Sequence, residues 1–261
     1  MTDTIYLANN FEPRIFRGAE RTSHRAFAGV CALLFTTCAT LTIMWCGAMQ
    51  GMPMPGGWTM SMAWMRMPGQ TWIQAAASFL AMWVVMMAAM MLPSVAPMLW
   101  RSKSRLGRLT LLVGLGYFFV WTLVGLAIFP LGVVLAAVEM EQPAVARAVP
   151  FAVGVVILVA GAIQLTSWKA HHLACCRETK ADAGAAWQQG LRFGFHCVLS
   201  CANLTAILLV IGVMDLRVMA VVTAAITAER LAPAGQRVAQ AIGAVVVGAG
   251  LLLIARAAGL A

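Results

Sequence analysis

The sequence predicts an all-α fold: a polytopic helical membrane protein of about seven transmembrane helices, with its N-terminus in and its C-terminus out. Three observations predict it. The 261 residues are 62% hydrophobic and 10% charged, where a soluble domain carries about a quarter charged residues. The uncharged runs reach the length of about 20 residues that a helix needs to cross a bilayer. The basic residues gather in alternate connections, as membrane orientation requires. Lipid leaves no water for unpaired backbone, so the spans are helices or a closed barrel. Continuous apolar runs without period-two alternation exclude the barrel.

Residues 1–25 form a polar cytoplasmic tail with Arg14, Arg17, Arg21 and Arg25 ahead of the first apolar run. No clear cleavage site follows, so the first span, 26–48, reads as uncleaved. Residues 26–261 then form a single helical membrane domain, with further spans at 72–100, 109–137, 148–166, 191–213, 216–231 and 237–257. The sixth of the seven is short, which leaves six spans as the fallback. This layout puts 14 of the 18 lysines and arginines on the cytoplasmic side; only Arg66, Arg147, Arg217 and Arg256 fall outside. The net charge of +9 is therefore an orientation signal and not a nucleic-acid footprint. Trp45 and Trp72 mark the outer interface, and Trp100 and Trp168 the inner one. Asp215 and Arg217 make the tight turn between spans five and six. In span five, Gly190 and Gly194 form a small-xxx-small pair suited to close helix packing. No internal repeat supports an inverted-repeat transporter.

Four groups of residues carry metal chemistry. The outer loop 49–70 holds seven methionines, among them Met49, Met52 and Met54 in Met-x-x-Met-x-Met spacing. Thioethers suit copper(I), and they keep that capacity where a free thiol oxidises. An equal alternative is an interfacial segment whose Trp58, Trp64 and methionines dip into lipid. Span two carries Met82, Met86 and Met90 on one helical stripe, with Met87 and Met91 beside it and Pro93 following to break the backbone ladder. Taken alone, such a stripe is more often core filler than a ligand set. Span five reads GLRFGFHCVLSCANLT, where Cys197 and Cys201 share a face flanked by His196. An ionisable group inside a span is expensive and so points to function. Counted from their basic ends, Met86, Met90 and Met91 and then His196, Cys197 and Cys201 fall in the same inner half of the membrane. Met82 lies further out and reads as packing or a step on the path. The inner loop 167–190 carries His171, His172, Cys175 and Cys176, in two pairs spaced four apart. Four such ligands fit copper or zinc, although reduced cytosolic thiols without a metal remain an alternative.

The blocks WVVMMAAMMLPSVAP, IQLTSWKAHHLACCRE and GLRFGFHCVLSCANLTAILLVIGVMDLRVMAVV…ER resemble the motif blocks of a bacterial domain-of-unknown-function family described as predicted metal-binding integral membrane proteins. The resemblance runs from about Trp72 to the C-terminus, and Met-Met-Leu-Pro is its most specific part. It implies that Met86, Met87, Met90, Met91, Pro93, Gln164, Thr166, Lys169, Cys197, Cys201 and Glu229 fall on motif positions. Many members carry two cysteines where this chain has His172 and Cys176, and a tyrosine where it has His196.

The expectation is a multi-pass protein of the bacterial cytoplasmic (inner) membrane that binds a soft ion, copper(I) ahead of zinc, and takes part in its transport or delivery. Its partners are the lipid bilayer, the metal ion and a periplasmic metal-binding protein, with no nucleic acid. A membrane anchor or assembly subunit for a metalloenzyme or secreted protein stays open. So does a thiol-disulfide oxidoreductase using Cys175 and Cys176, although a vicinal pair is a strained choice. Otherwise an enzyme is not expected: the nine acidic residues are scattered, and there is no catalytic triad or phosphate-cradling loop.

Overall fold

Long apolar runs become long helices. The computed structural model describes residues 3–49, 51–176 and 186–259, and of residues 3–21, 103–106 and 108 the backbone alone. Arg177 and Lys180 of the inner loop lie outside the described residues. In chain order come α1 (Asp3–Ala48), β1 (Met52–Met54), β2 (Trp58–Met60), α2 (Trp72–Leu106), α3 (Thr110–Glu141), α4 (Pro143–Gln164), α5 (Ser167–Cys175), α6 (Ala186–Ile211), α7 (Leu216–Leu231) and α8 (Gly235–Ala257). The all-α expectation holds. Among the described residues six helices are long and apolar enough to cross a membrane, as a multi-pass membrane protein requires. The sixth expected span, 216–231, is α7, whose 16 residues fall short of that length.

Local chemistry sets the element ends. Pro143 opens α4 at a position whose missing N–H costs nothing. Thr166 caps α5 by accepting from the Lys169 N–H at 3.3 Å. Asp215 caps α7 by accepting from the N–H groups of Arg217 and Val218 at 2.8 and 3.1 Å. The polar N-terminal segment continues the first span as helix, so α1 starts well before residue 26. Pro93 and Pro97 lie inside α2 without ending it. The Ser94 hydroxyl donates to the Met91 carbonyl at 2.9 Å, one way in which membrane helices tolerate proline.

The Met-rich outer segment folds as a small hairpin. Met52 pairs with Met60 and Met54 with Trp58. Its turn uses Gly56 and Gly57 at φ +103° and +77°, a region that favours glycine. The Trp58 indole N–H donates to the Ala146 carbonyl at 2.9 Å, which pins the hairpin to the start of α4. Trp64 stacks near Phe79 of α2 at 5.1 Å between ring centroids. Residue 164, where α4 ends and the chain turns into α5, is 18 residues further on, about 27 Å along the helix. Hairpin and α5 therefore sit at opposite ends of the molecule.

Small residues set the helix spacing. In α6, a Cβ on Gly190 would strike the Val113 carbonyl oxygen of α3, and one on Gly194 would lie 2.9 Å from the Tyr117 carbonyl oxygen. On the facing side, a Cβ on Gly116 would lie 2.8 Å from the Trp187 carbonyl oxygen. The small-xxx-small pair thus does what its spacing predicts. A second seam joins α4 to α8. There a Cβ on Gly161 would lie 2.7 Å from the Val247 nitrogen, and one on Gly250 2.6 Å from the Leu158 nitrogen. α1 packs on α2, where Trp100 meets His24 and Phe27 at 4.7 and 5.3 Å. Its Val30, Leu33, Leu34, Leu41 and Ile43 are exposed, as lipid-facing side chains are. Replacing Gly190 with alanine should cost about 1–3 kcal/mol through overpacking. Thermal unfolding in detergent reads that loss against Gly29→Ala, where an added Cβ meets nothing within 4 Å and stability should hold.

Candidate metal centre

The broad buried face of α6 carries Gly194, Cys197, Ser200, Cys201, Leu204 and Leu208, at the spacing of a helix stripe. Cys197 and Cys201 are 0% and 1% exposed, and their thiols lie close enough to interact. The close α3–α6 crossing brings Tyr117 beside them, its hydroxyl 2.9 Å from the Cys197 sulfur. From α2, the Met91 sulfur lies 3.9 Å from the Cys197 sulfur. Met86, Met87 and Met90 are buried in the same core. From the end of α7, the Arg230 guanidinium donates to the sulfurs of Cys201 at 3.8 Å and Cys176 at 3.6 Å, and to the Ser94 hydroxyl at 3.3 Å. A guanidinium supplies the positive charge that offsets an anionic sulfur centre.

Beside this centre is a buried polar network joining four helices. Lys169 of α5 and Glu229 of α7, each 1% exposed, form an ion pair at 2.8 Å. The Gln164 amide of α4 donates to the same carboxylate. Asn203 of α6 donates to Gln164 Oε1 at 2.5 Å and to the Ala160 carbonyl at 3.0 Å. Lys169 also donates to the carbonyl of Ser200, the residue before Cys201. The network holds α5 against the α6 thiols and fixes the residue next to Arg230. Tyr117, Ser94, Asn203 and Arg230 carry no motif signal of their own. Glu229 and Arg230 are adjacent in sequence and invite a reading as one ion pair. Neighbouring residues on a helix point about 100° apart, and here Glu229 turns to Lys169 while Arg230 turns to the sulfurs.

The remaining sequence candidates divide among separate contacts. His171 and Cys175 approach at 3.6 Å on the surface of α5. His172 of α5 meets His196 of α6, Nδ1 to Nδ1, at 3.2 Å. His196 thus joins the inner-loop histidine and flanks the thiols from the side. Cys176 joins Arg230. Burial lowers the affinity of His172 for a proton, and the neighbouring His196 lowers it further. Burial pushes the Cys176 thiol up to about 11, with Arg230 opposing the shift. Met49, Met52 and Met54 lie at the far end, Met52 and Met54 in the hairpin and Met49 against the core at the close of α1. Among the described residues no three His, Cys, Asp or Glu side chains form a metal-sized cluster. What gathers at Cys197 and Cys201 draws instead on a thioether, a phenol and a guanidinium.

The family model described as PpoB2, copper chaperone, matches residues 80–253, two thirds of the chain. The chain belongs to the PpoB2 copper chaperone family. Comparison with curated proteins and with solved structures returned no match. The match takes in every residue of the buried centre and its polar network, from Met91 to Arg230, and leaves α1 and the hairpin outside. A copper-related role accords with the sulfur donors found there.

Two outcomes follow from this geometry. Breaking the ion pair by Lys169→Met or Glu229→Leu should each cost about 3–5 kcal/mol, because each leaves one buried charge without its opposite. The double variant should cost less than the sum, as a thermal-unfolding double-mutant cycle would read. In a Cys175→Ser background, maleimide labelling of Cys176 should be slow at neutral pH. It should rise about tenfold per pH unit toward pH 11, since the thiolate is the reacting form; peptide mass mapping measures this.

Proposed function

We propose that this protein binds copper(I) at Met91, Cys197 and Cys201 and carries it within the bacterial cytoplasmic membrane, as a transporter or delivery chaperone. The observation that carries this reading is the Met91 sulfur 3.9 Å from a buried thiol that is itself paired with a second. Two sulfurs sharing one ion at about 2.3 Å each stand about 4 Å apart in a trigonal site. Soft thiolate and thioether donors select copper(I). A structural zinc site wants four closed ligands, so zinc is the second choice.

Charge supports the same reading. One cuprous ion and two thiolates sum to −1, and the Arg230 guanidinium brings the group to zero. In a low-dielectric interior that neutrality removes most of the burial cost. The copper is cargo, and no enzymatic step is proposed.

The proposed route uses the positive-inside orientation of the chain. The outer methionines Met49, Met52 and Met54 collect the ion from a periplasmic metal-binding partner. The buried stripe of Met86, Met90 and Met91 passes it to Cys197 and Cys201. Cys176, His172 and His196, and then His171 and Cys175, hand it to water at the cytoplasmic end, or run the sequence in reverse. The increasing exposure from Cys197 to His171 supports that order.

Purified protein loaded with copper(I) under reducing conditions should retain metal, and Cys197→Ser/Cys201→Ser should fall to background at this centre. Arg230→Gln keeps all three sulfurs, and its copper(I) affinity should drop roughly 10–100-fold, as removal of an outer partner of a metal ligand does. Metal analysis with chelator competition reads both. Near-zero copper in the wild type, or equal binding in the cysteine variant, would defeat the reading.

A further inference from the structure

Cys46 and Met214 form a second pair of soft donors, at the other end of the molecule. The Cys46 thiol of α1 lies 3.6 Å from the thioether of Met214, in the turn between α6 and α7. The two residues are 168 positions apart in the chain, so tertiary packing and not local sequence brings them together. Met49 follows Cys46 by three residues, and the Met49 N–H still bonds the Trp45 carbonyl at 3.0 Å. Helical backbone therefore carries Cys46 and Met49 on one face. Cys46, Met49 and Met214 all pack against the central core, and none is fully buried.

We propose that Cys46 and Met214, completed by Met49, form a copper(I) site distinct from the Cys197 centre. The inference rests on the copper-binding reading above. The donor types and the spacing match those of the inner centre: one thiol and one thioether at 3.9 Å there, 3.6 Å here. One metal about 2.3 Å from each sulfur bridges such a gap. Partial exposure leaves the site open to an ion arriving from water or from the hairpin, whereas Cys197 and Cys201 are buried. Between the two run Met82, Met86 and Met90 of α2, all in the same core. From residue 82 to residue 91 the helix rises about 13 Å. A soft ion held at Cys46 thus faces thioethers along the way to Cys197. Cys46 and Met49 lie outside the 80–253 family match. The site therefore joins a turn within the family segment to a helix beyond it.

The experiment measures protection of Cys46 from N-ethylmaleimide by copper(I), supplied as its acetonitrile complex to the full-length protein in detergent without oxygen. Labelling is read by peptide mass mapping, in the wild type, in Cys197→Ser/Cys201→Ser, and in that variant with Met214→Leu added. Leucine keeps the volume of methionine and removes the sulfur. Copper(I) in about tenfold excess over its dissociation constant should slow Cys46 labelling about tenfold. It should do so in the wild type and in the double-serine variant, and protection should be largely lost on Met214→Leu. Unprotected Cys46 in a wild type that binds copper overturns this site and leaves the Cys197 centre standing. Full protection after Met214→Leu overturns the pairing. A wild type that binds no copper removes both readings together.

Discussion

Two adjacent charges at the end of α7 govern the region around the thiols. A buried carboxylate and a buried ammonium each cost several kcal/mol to desolvate, and they persist together because each supplies the other's counter-charge. The Lys169–Glu229 pair does this across two elements, so that α5 is held against the ends of α6 and α7. Glu229 is committed to that pair, and the Arg230 guanidinium one step along the helix turns to the sulfurs of Cys176 and Cys201. Gln164 and Asn203 extend the constraint to α4 and α6, which orients the backbone that carries Cys201.

The second determinant is how near the helices can come. Tyr117 reaches Cys197 because Gly116, Gly190 and Gly194 let α3 and α6 meet along their backbones. The α4–α8 seam follows the same rule with Gly154, Gly161, Gly243 and Gly250, two pairs each seven residues apart. In lipid, apolar surface gains little by leaving its solvent, and close van der Waals contact does more of the work. The molecule is thus assembled by shape in its apolar part and by charge pairing at one end.

The fold was largely legible in the sequence because hydropathy is a local signal and the bilayer is a stringent filter. The α2, α6 and α8 boundaries lie within a few residues of the apolar runs, and the Gly190–Gly194 spacing pointed to a close contact. The hairpin in 49–70 was hidden: its methionines carry no strand signature, and the glycine turn and the Trp58 bond to α4 help to hold it. The candidate centre was half legible. Cys197, Cys201 and Met91 could be placed at one depth by counting residues, but counting gives no azimuth. His196 shares that depth and points instead to His172. Tyr117 and Arg230 were invisible for a related reason. Each has an ordinary environment in its own helix and gains meaning only from a neighbour 80 or 29 residues away in sequence.

The length of α7 has a consequence for the surrounding lipid. Sixteen residues make a helix about 24 Å long, against a hydrocarbon layer of about 30 Å. Val221 and Leu231 on its outward side are exposed, so acyl chains meet a face shorter than they are. The bilayer must thin there, or headgroups and water must dip to meet the helix end. Arg230, which turns to the sulfurs, sits in the last turn of α7, one of the two ends where such a shortfall is met. Acyl-chain length in the host membrane thereby becomes a physical variable of the protein's behaviour, set by a helix about one turn too short.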